Sequence, residues 1–239
     1  MLTSARIAEL TTRLRRIAAR HPAAGLASSF GPEDMVLTDL VARHALPIGV
    51  FSLDTGRLHD ETYALMDRVR QHYRLPIELY YPDPRELEAY VRAQGVNAFY
   101  RSVELRQRCC AIRKSGPLAR ALAGRDAWIT GQRRTQSVTR RELDFEEYDA
   151  AHELPKFNPL FDWSEDEVWG YVRSHGVPTN ELHARGYPSI GCAPCTRAVE
   201  PGEDVRAGRW WWEDPDHKEC GLHRRPVRVP VRQARPEAS

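Results

Sequence analysis

A chain of 239 residues, 41% hydrophobic and 28% charged, carries enough apolar surface for a sizeable core and too much for a disordered chain. Its 35 basic and 33 acidic residues leave a net charge of +2, so no global field argues for nucleic acid as a partner. No apolar run approaches the roughly 18 residues needed to cross a bilayer, which excludes a membrane span. Only Lys114, Lys156 and Lys218 among the basic residues are lysine, so a lysine is informative here while an arginine pair is not.

Residues 1–20 are Arg-rich and amphipathic, as a transit peptide or a core-facing helix would be. Ile7, Leu10, Leu14 and Ile17 recur at helical spacing, and Glu9 and the lack of a linker before Ser28 favour the structural helix. There is no secretory apolar region. Five cysteines, in two pairs and a singlet, do not make a secreted disulfide framework, and the expected compartment is the cytoplasm.

Residues 24–30 read as a strand ending in Ser28-Ser29-Phe30-Gly31, with a helix through Met35, Val36, Leu40 and Val41 behind it. A second apolar run, 47–53, closes at Asp54-Thr55-Gly56 and precedes a helix through Leu58, Leu65, Met66, Val69 and Tyr73. Residues 75–80 read as a third strand, 105–122 as a helix interrupted at Gly116-Pro117, and 127–130 as a strand ending at Gly131. Strands alternating with helices predict an α/β fold, a parallel sheet covered on both faces. In such sheets ligands sit beyond the carboxyl ends of the strands, where 28–31, 54–56 and 131–134 all fall. Ser164-Glu165-Asp166-Glu167 is a capping box opening a helix through Val168, Tyr171 and Val172. Past Arg185 the periodicity is lost, and 224–239 is basic, proline-bearing and expected to be a disordered tail. The expected divisions are a helix at 1–23, a main domain at 24–200, a mobile segment at 201–223 and the tail.

The cysteines carry the sharpest signal. Cys109-Cys110 is followed far downstream by Cys192-Ala193-Pro194-Cys195. Adjacent helical residues point about 100° apart, which suits two irons of a cube better than one tetrahedral ion. With the Cys-x-x-Cys turn they supply the four thiolates of a 4Fe–4S cluster. A zinc site and inert buried thiols are the alternatives. Cys220, in Lys218-Glu219-Cys220-Gly221-Leu222-His223, is left over. Beside Lys218 and His223 it is either a reactive thiol or an ordinary exposed one.

Ser28-Ser29-Phe30-Gly31-Pro32-Glu33-Asp34, Leu53-Asp54-Thr55-Gly56, Cys109-Cys110, Gly131-Gln132-Arg133-Arg134, Lys156-Phe157-Asn158-Pro159-Leu160, Cys192-x-x-Cys195, Gly208-Arg209-Trp210-Trp211-Trp212 and the Cys220 motif occur in this order. Together they closely resemble the assimilatory branch of the adenylyl-sulfate (APS) and phosphoadenylyl-sulfate reductase family, over roughly residues 24–223. The resemblance implies an adenine-nucleotide alpha hydrolase-like fold with a modified pyrophosphate loop. It implies thioredoxin-dependent reduction of adenosine 5′-phosphosulfate to sulfite and AMP through an S-sulfocysteine, in sulfate assimilation toward cysteine. Cys220 would be the nucleophile, and Cys109, Cys110, Cys192 and Cys195 would hold one 4Fe–4S cluster per chain. The loop role falls on Ser28, Ser29, Gly31 and Glu33, and the adenosine on Leu53, Asp54, Thr55 and Gly56. Lys114, Gly131, Arg133, Arg134, Arg140, Arg206, Arg209 and His223 complete the expected substrate contacts. The expected partners are the nucleotide, thioredoxin and further copies of the chain in a dimer or tetramer, with neither nucleic acid nor membrane.

Three rivals are carried beside this reading. A 3′-phosphoadenylyl-sulfate or dual-substrate reductase shares the family. A tRNA-thiolating enzyme needs ATP and typically a loop lysine, which 28–34 lacks. A non-enzymatic iron–sulfur sensor has no use for the Cys220 motif. With four cysteines on a cluster, none is left to resolve Cys220 internally, so an outside dithiol is needed.

Overall fold

A computed structural model describes residues 2–136 and 140–214; Cys220, His223 and the 224–239 tail lie outside the described residues. Helix α1 spans Ser4–Arg20, opened by Thr3, whose hydroxyl accepts the Arg6 N–H. Leu10, Leu14 and Ile17 are buried and Ile7 packs partly buried beside them, so the segment is a core helix. Arg13 and Arg6 tie it to Asp162.

The sheet has six strands in the order β3-β2-β1-β4-β6-β5. These are β1 (Gly25–Ala27), β2 (Gly49–Leu53), β3 (Ile77–Tyr80), β4 (Trp128–Ile129), β5 (Glu146–Asp149) and β6 (Leu154–Phe157). All pairings are parallel except β5 with β6. The chain winds outward from β1 to β3 and then returns to place β4 on the other side of β1. The order reverses there, and the crevice between β1 and β4 opens at their carboxyl ends.

Alternate strand residues point to opposite faces. Leu26, Val50 and Ile129 join α1, α2 (Pro32–Arg43), α3 (Asp60–Tyr73) and α7 (Glu165–His175) in one core. Phe51 and Trp128, each one position away, pack on α6 (Gly116–Leu122) on the other face. The predicted capping box is present at Ser164 and Glu167. Helix α4 covers Pro84–Gln94, with Asp83 accepting the Arg85 and Glu86 N–H groups.

The expected 105–122 helix is three pieces. Helix α5 (Val103–Cys110) runs into a π turn over Ala111–Ser115 and then into α6. Gly116 and Pro117 therefore open α6, in the first turn, where a proline's missing N–H is tolerated. The irregularity falls instead on the stretch after the vicinal cysteines. No helix among the described residues is long and apolar enough to cross a membrane.

Candidate active site

A cavity of about 700 Å³ lies beyond the carboxyl ends of β1, β2 and β4. That volume accommodates a nucleotide-sized ligand. Ser28, Ser29, Gly31 and Glu33 line one side of it, Leu53 and Thr55 another, and Gly131, Arg133 and Arg140 a third.

The first turn is held by its own polar groups. Ser28 Oγ accepts the Phe30 N–H at 3.2 Å, and Phe30 adopts a left-handed φ of 61°. Such a conformation in a bulky residue marks a constrained loop. Asp34 accepts both the N–H and the hydroxyl of Ser29 at 2.7 Å, and also the Gly131 N–H, so one carboxylate joins the β1 turn to the β4 turn. Glu33 is neutralised by Arg133, whose Nε donates to it at 2.8 Å. The two acids that open α2 are thus satisfied within the protein, and Gly31 caps the helix without a side-chain bond. First-turn N–H groups next to two serines suit an anion.

Gly131 is required by close approach. A Cβ there would penetrate Asp34 Oδ1 and stand 2.8 Å from Glu33 Cβ. Gly131→Ala is expected to cost about 1–3 kcal/mol of stability and to weaken AMP binding, read by thermal unfolding and calorimetric titration. Unchanged AMP affinity would sink the placement of this turn at the ligand.

Burial lifts the Asp34 carboxyl to about 6, against the lowering effect of its Ser29 donors. A folded value above the ordinary 3.8 means that folding takes up a proton in that window. The contribution is fully present below 3.8 and lost as pH rises through about 6. Wild type minus Asp34→Asn unfolding free energies are expected to fall by on the order of 2–3 kcal/mol across that window. A flat difference in urea titrations at several pH values would refute the assignment.

Lys114, Arg140, Arg206 and Arg209 also line the cavity. Arg140 donates to Gln136, Arg209 donates to Ser189 Oγ at 3.3 Å, and its guanidinium lies 4.8 Å from the Trp210 ring centre. Cations lining a cavity suit phosphate and sulfate oxygens.

Cys192 and Trp210 line the same cavity, and behind them a small apolar pocket is lined by Cys109, Cys110, Cys192 and Cys195. All four are buried. The two motifs are brought to it by the end of α5 and by the turn at Ala193–Cys195. Thr55 Oγ1 lies 3.2 Å from Cys192 Sγ, the Ala193 N–H donates to Arg57 O at 2.8 Å, and Arg113 donates to Thr55 O. The adenosine-side turn and the cysteine pocket are therefore stitched together. Gly56 completes that turn at a φ of 67°, a conformation glycine adopts without strain.

Burial pushes the Cys195 thiol up to about 12, with Cys192 and Cys110 adding repulsion and Lys114 and Arg209 opposing it. Burial likewise raises Cys109, opposed by Arg113. Among the described residues no three His, Cys, Asp or Glu side chains gather closely enough to hold a single metal ion. Four soft sulfurs around one pocket, rimmed by Arg57, Arg113 and Lys114, do fit a four-iron cluster. Its four thiolates would give each iron one ligand, and the surrounding cations would offset its net negative charge.

Three expected contacts do not line the cavity. Asp54 accepts the Gly56 N–H at 2.7 Å and the Tyr63 hydroxyl at 2.9 Å, so it shapes the turn, as does Gly56. Arg134 faces away: its Nε donates to Leu143 O at 2.6 Å, it pairs with Asp144, and its guanidinium stands 4.7 Å from the Phe161 ring centre. Cys220 and His223 lie outside the described residues. A wall that the sequence did not announce comes from Trp169, Asn180, His183 and the 188–191 stretch. Gln132, inside a quoted motif, also lines the cavity while its Oε1 accepts from Lys156 at 2.9 Å. In the described part of 201–223, Trp210 is buried and its backbone N–H donates to Cys195 O at 3.1 Å.

The model of the phosphoadenosine phosphosulfate reductase domain matches residues 24–198. The chain is 56% identical over 220 residues to an adenosine 5′-phosphosulfate reductase of Burkholderia cepacia, covering 92% of this chain and 88% of that one. It is 60% identical over 199 residues to the enzyme of that name from Allochromatium vinosum, covering 83% and 78%. Among solved structures, a phosphoadenylyl-sulfate reductase from Candida auris in a phosphate complex superposes with a TM-score of 0.69 at 26% identity, covering 80% of this chain and 90% of that one. The likeness spans the sheet, the turns and both cysteine motifs, and the chain belongs to the phosphoadenosine phosphosulfate reductase family, among relatives that reduce adenosine 5′-phosphosulfate.

Proposed function

We propose that this protein reduces adenosine 5′-phosphosulfate to sulfite and AMP, as a cytoplasmic oxidoreductase of sulfate assimilation. The observation that carries the reading is a cavity lined by the strand-end turns, by Lys114, Arg140, Arg206 and Arg209, and by Cys192. Names of relatives at 56–60% identity support the substrate.

In this reading the α2 N-terminus, Ser28, Ser29 and the cations hold the phosphosulfate, and the turn from Leu53 to Gly56 holds the adenosine. The Cys220 thiolate attacks the sulfate sulfur. The bond from that sulfur to the bridging oxygen breaks, AMP leaves with the oxygen, and an S-sulfocysteine remains. A dithiol, thioredoxin by the family resemblance, then attacks Cys220 Sγ. Sulfite leaves with the electron pair of the S–S bond, and the second thiol resolves the mixed disulfide, so the dithiol supplies both electrons. Arg206, Arg209 and Lys114 offset charge on the phosphate as AMP departs. Cys109, Cys110, Cys192 and Cys195 would hold a 4Fe–4S cluster, which when bound supplies iron–thiolate bonds that offset the mutual repulsion of four buried thiolates. A dimer or tetramer is the assembly expected from the family.

The kinship with the Candida auris enzyme favours a second reading, in which the 3′-phosphorylated nucleotide is a substrate. Sulfite release from each nucleotide with thioredoxin separates the two. The unphosphorylated form is expected to be preferred at least about tenfold in kcat/KM, roughly 1.4 kcal/mol. Comparable efficiencies would establish a dual-substrate enzyme, and release from neither would overturn the reaction.

A further inference from the structure

Gln132 is 6% exposed and lines the cavity, and its Nε2 is a buried donor with no hydrogen-bond partner among the described residues. Buried amide groups are nearly always paired, so an unpaired donor in the wall of a cavity points to a partner that arrives with a ligand. The orientation of this amide is fixed from its other end. Its Oε1 accepts from Lys156 Nζ at 2.9 Å. An ammonium carries donors only, so the oxygen faces Lys156 and the NH₂ group is turned from it. Lys156 is itself held: it is buried, donates to Glu147 Oε2 at 3.3 Å and stands 5.6 Å from the Trp128 ring centre. Glu147 Oε2 also accepts from Asn158 Nδ2 at 3.0 Å. Lys156 and Glu147 belong to β6 and β5 and do not line the cavity, so the hairpin holds Gln132 from behind.

Trp128, Thr130 and Gln132 occupy alternate positions after the start of β4, and all three line the cavity. The residues between them turn elsewhere, Gly131 against Asp34 and Arg133 to Glu33. On the Trp128 side the cavity wall is apolar, built from Phe51, Leu53, Leu118 and Trp128. Such walls suit the flat faces of a base, with a few placed polar groups reading its edge. Phosphate and sulfate charge is the business of Lys114 and the arginines. A carboxamide NH₂ is a neutral donor, suited to the uncharged part of a nucleotide.

We propose that Gln132 Nε2 donates a hydrogen bond to an acceptor on the adenosine part of the bound nucleotide, a purine ring nitrogen or a ribose oxygen, and that Lys156 is the positioning residue that holds the amide in its donating orientation. This rests on the reading of the cavity as a nucleotide site.

The test is calorimetric titration of the anaerobically purified full chain with AMP, adenosine and ribose 5-phosphate. Gln132→Leu removes the donor, and its Kd for AMP is expected to rise about fivefold. Gln132→Glu keeps an acceptor for Lys156 and removes only the donor, so it serves where the leucine variant fails to fold. Adenosine, which carries no charge for the new carboxylate to repel, is expected to lose affinity for Gln132→Glu by a similar factor. A loss seen with AMP and adenosine but not with ribose 5-phosphate assigns the acceptor to the base, and a loss seen with all three assigns it to the ribose. Lys156→Met is expected to weaken AMP by about two- to threefold in the wild type and not at all in the Gln132→Leu background, because its effect passes through the amide. An equal loss in both backgrounds would overturn the part given to Lys156. Affinities within about twofold of wild type in both Gln132 variants would overturn the proposal. A wild type that binds neither AMP nor adenosine would instead remove the proposed function.

Discussion

Cys192→Ser, purified without oxygen, is expected to contain no cluster and to form no sulfite, whereas the wild type is expected to be brown with about four irons per chain. Cys109, Cys110, Cys192 and Cys195 converge on one pocket from two separate motifs. Burial holds Cys195 at about 12, so without iron it is a neutral buried thiol with no charge partner to satisfy. A serine at 192 removes one of four thiolate ligands, and its hydroxyl does not ionise to replace it. The damage should spread to the nucleotide. Thr55 lies 3.2 Å from Cys192 Sγ, and Ala193 and Arg113 hold the backbone of the 55–57 turn. AMP affinity is therefore expected to fall together with iron. Iron analysis, a visible spectrum and AMP titration check this. Stoichiometric zinc with no iron in fresh wild-type protein would falsify the cluster.

The strands that build the site were legible because each is an apolar run closed by turn residues: β1 before Ser28-Ser29, β2 before Asp54-Thr55-Gly56 and β4 before Gly131. The β5–β6 hairpin was not. Its edge strand reads Glu146-Glu147-Tyr148-Asp149, with Tyr148 65% exposed, and β6 carries Pro155 and Lys156, which argue against a strand on local grounds. Lys156 becomes a buried residue only because Gln132 and Glu147 accept from it. The π turn after Cys110 leaves no trace in periodicity, since a shift of hydrogen-bond partner does not change which residues are apolar.

The same division holds in the site. Turn residues such as Ser28, Ser29 and Gly131 act where they stand, so a motif locates them. Arg133 and Arg134 are neighbours of one type, and only the folded turn sends the first to Glu33 and the second to Asp144 and Phe161. His183 and Asn180 reach the cavity from the short turn after α7, where no motif marks them. Asn180 is held there by the Thr62 hydroxyl, a contact spanning the domain that no local pattern encodes.

Cys220→Ser is expected to keep its iron, bind AMP and show no turnover at all. Cys220 is the cysteine that the proposed cluster leaves over, in the motif by which the chain resembles its family. A serine hydroxyl has a far higher pKa than a thiol and is almost wholly un-ionised at neutral pH, so it cannot take the sulfonate. The wild type mixed with APS and no reductant should gain the mass of one SO₃ on the peptide that carries Cys220. It should release one AMP per active site and hold its sulfite until a dithiol arrives, because with the four buried cysteines on the proposed cluster no other thiol of the chain is left to attack Cys220 Sγ. Mass spectrometry of the peptides and a quenched-flow count of AMP and sulfite read this directly. Sulfite released in that first turnover would mean that water resolves the intermediate, and an adduct on any other cysteine would move the nucleophile. Either result would undo the mechanism, since every later step depends on where the sulfonate first lands.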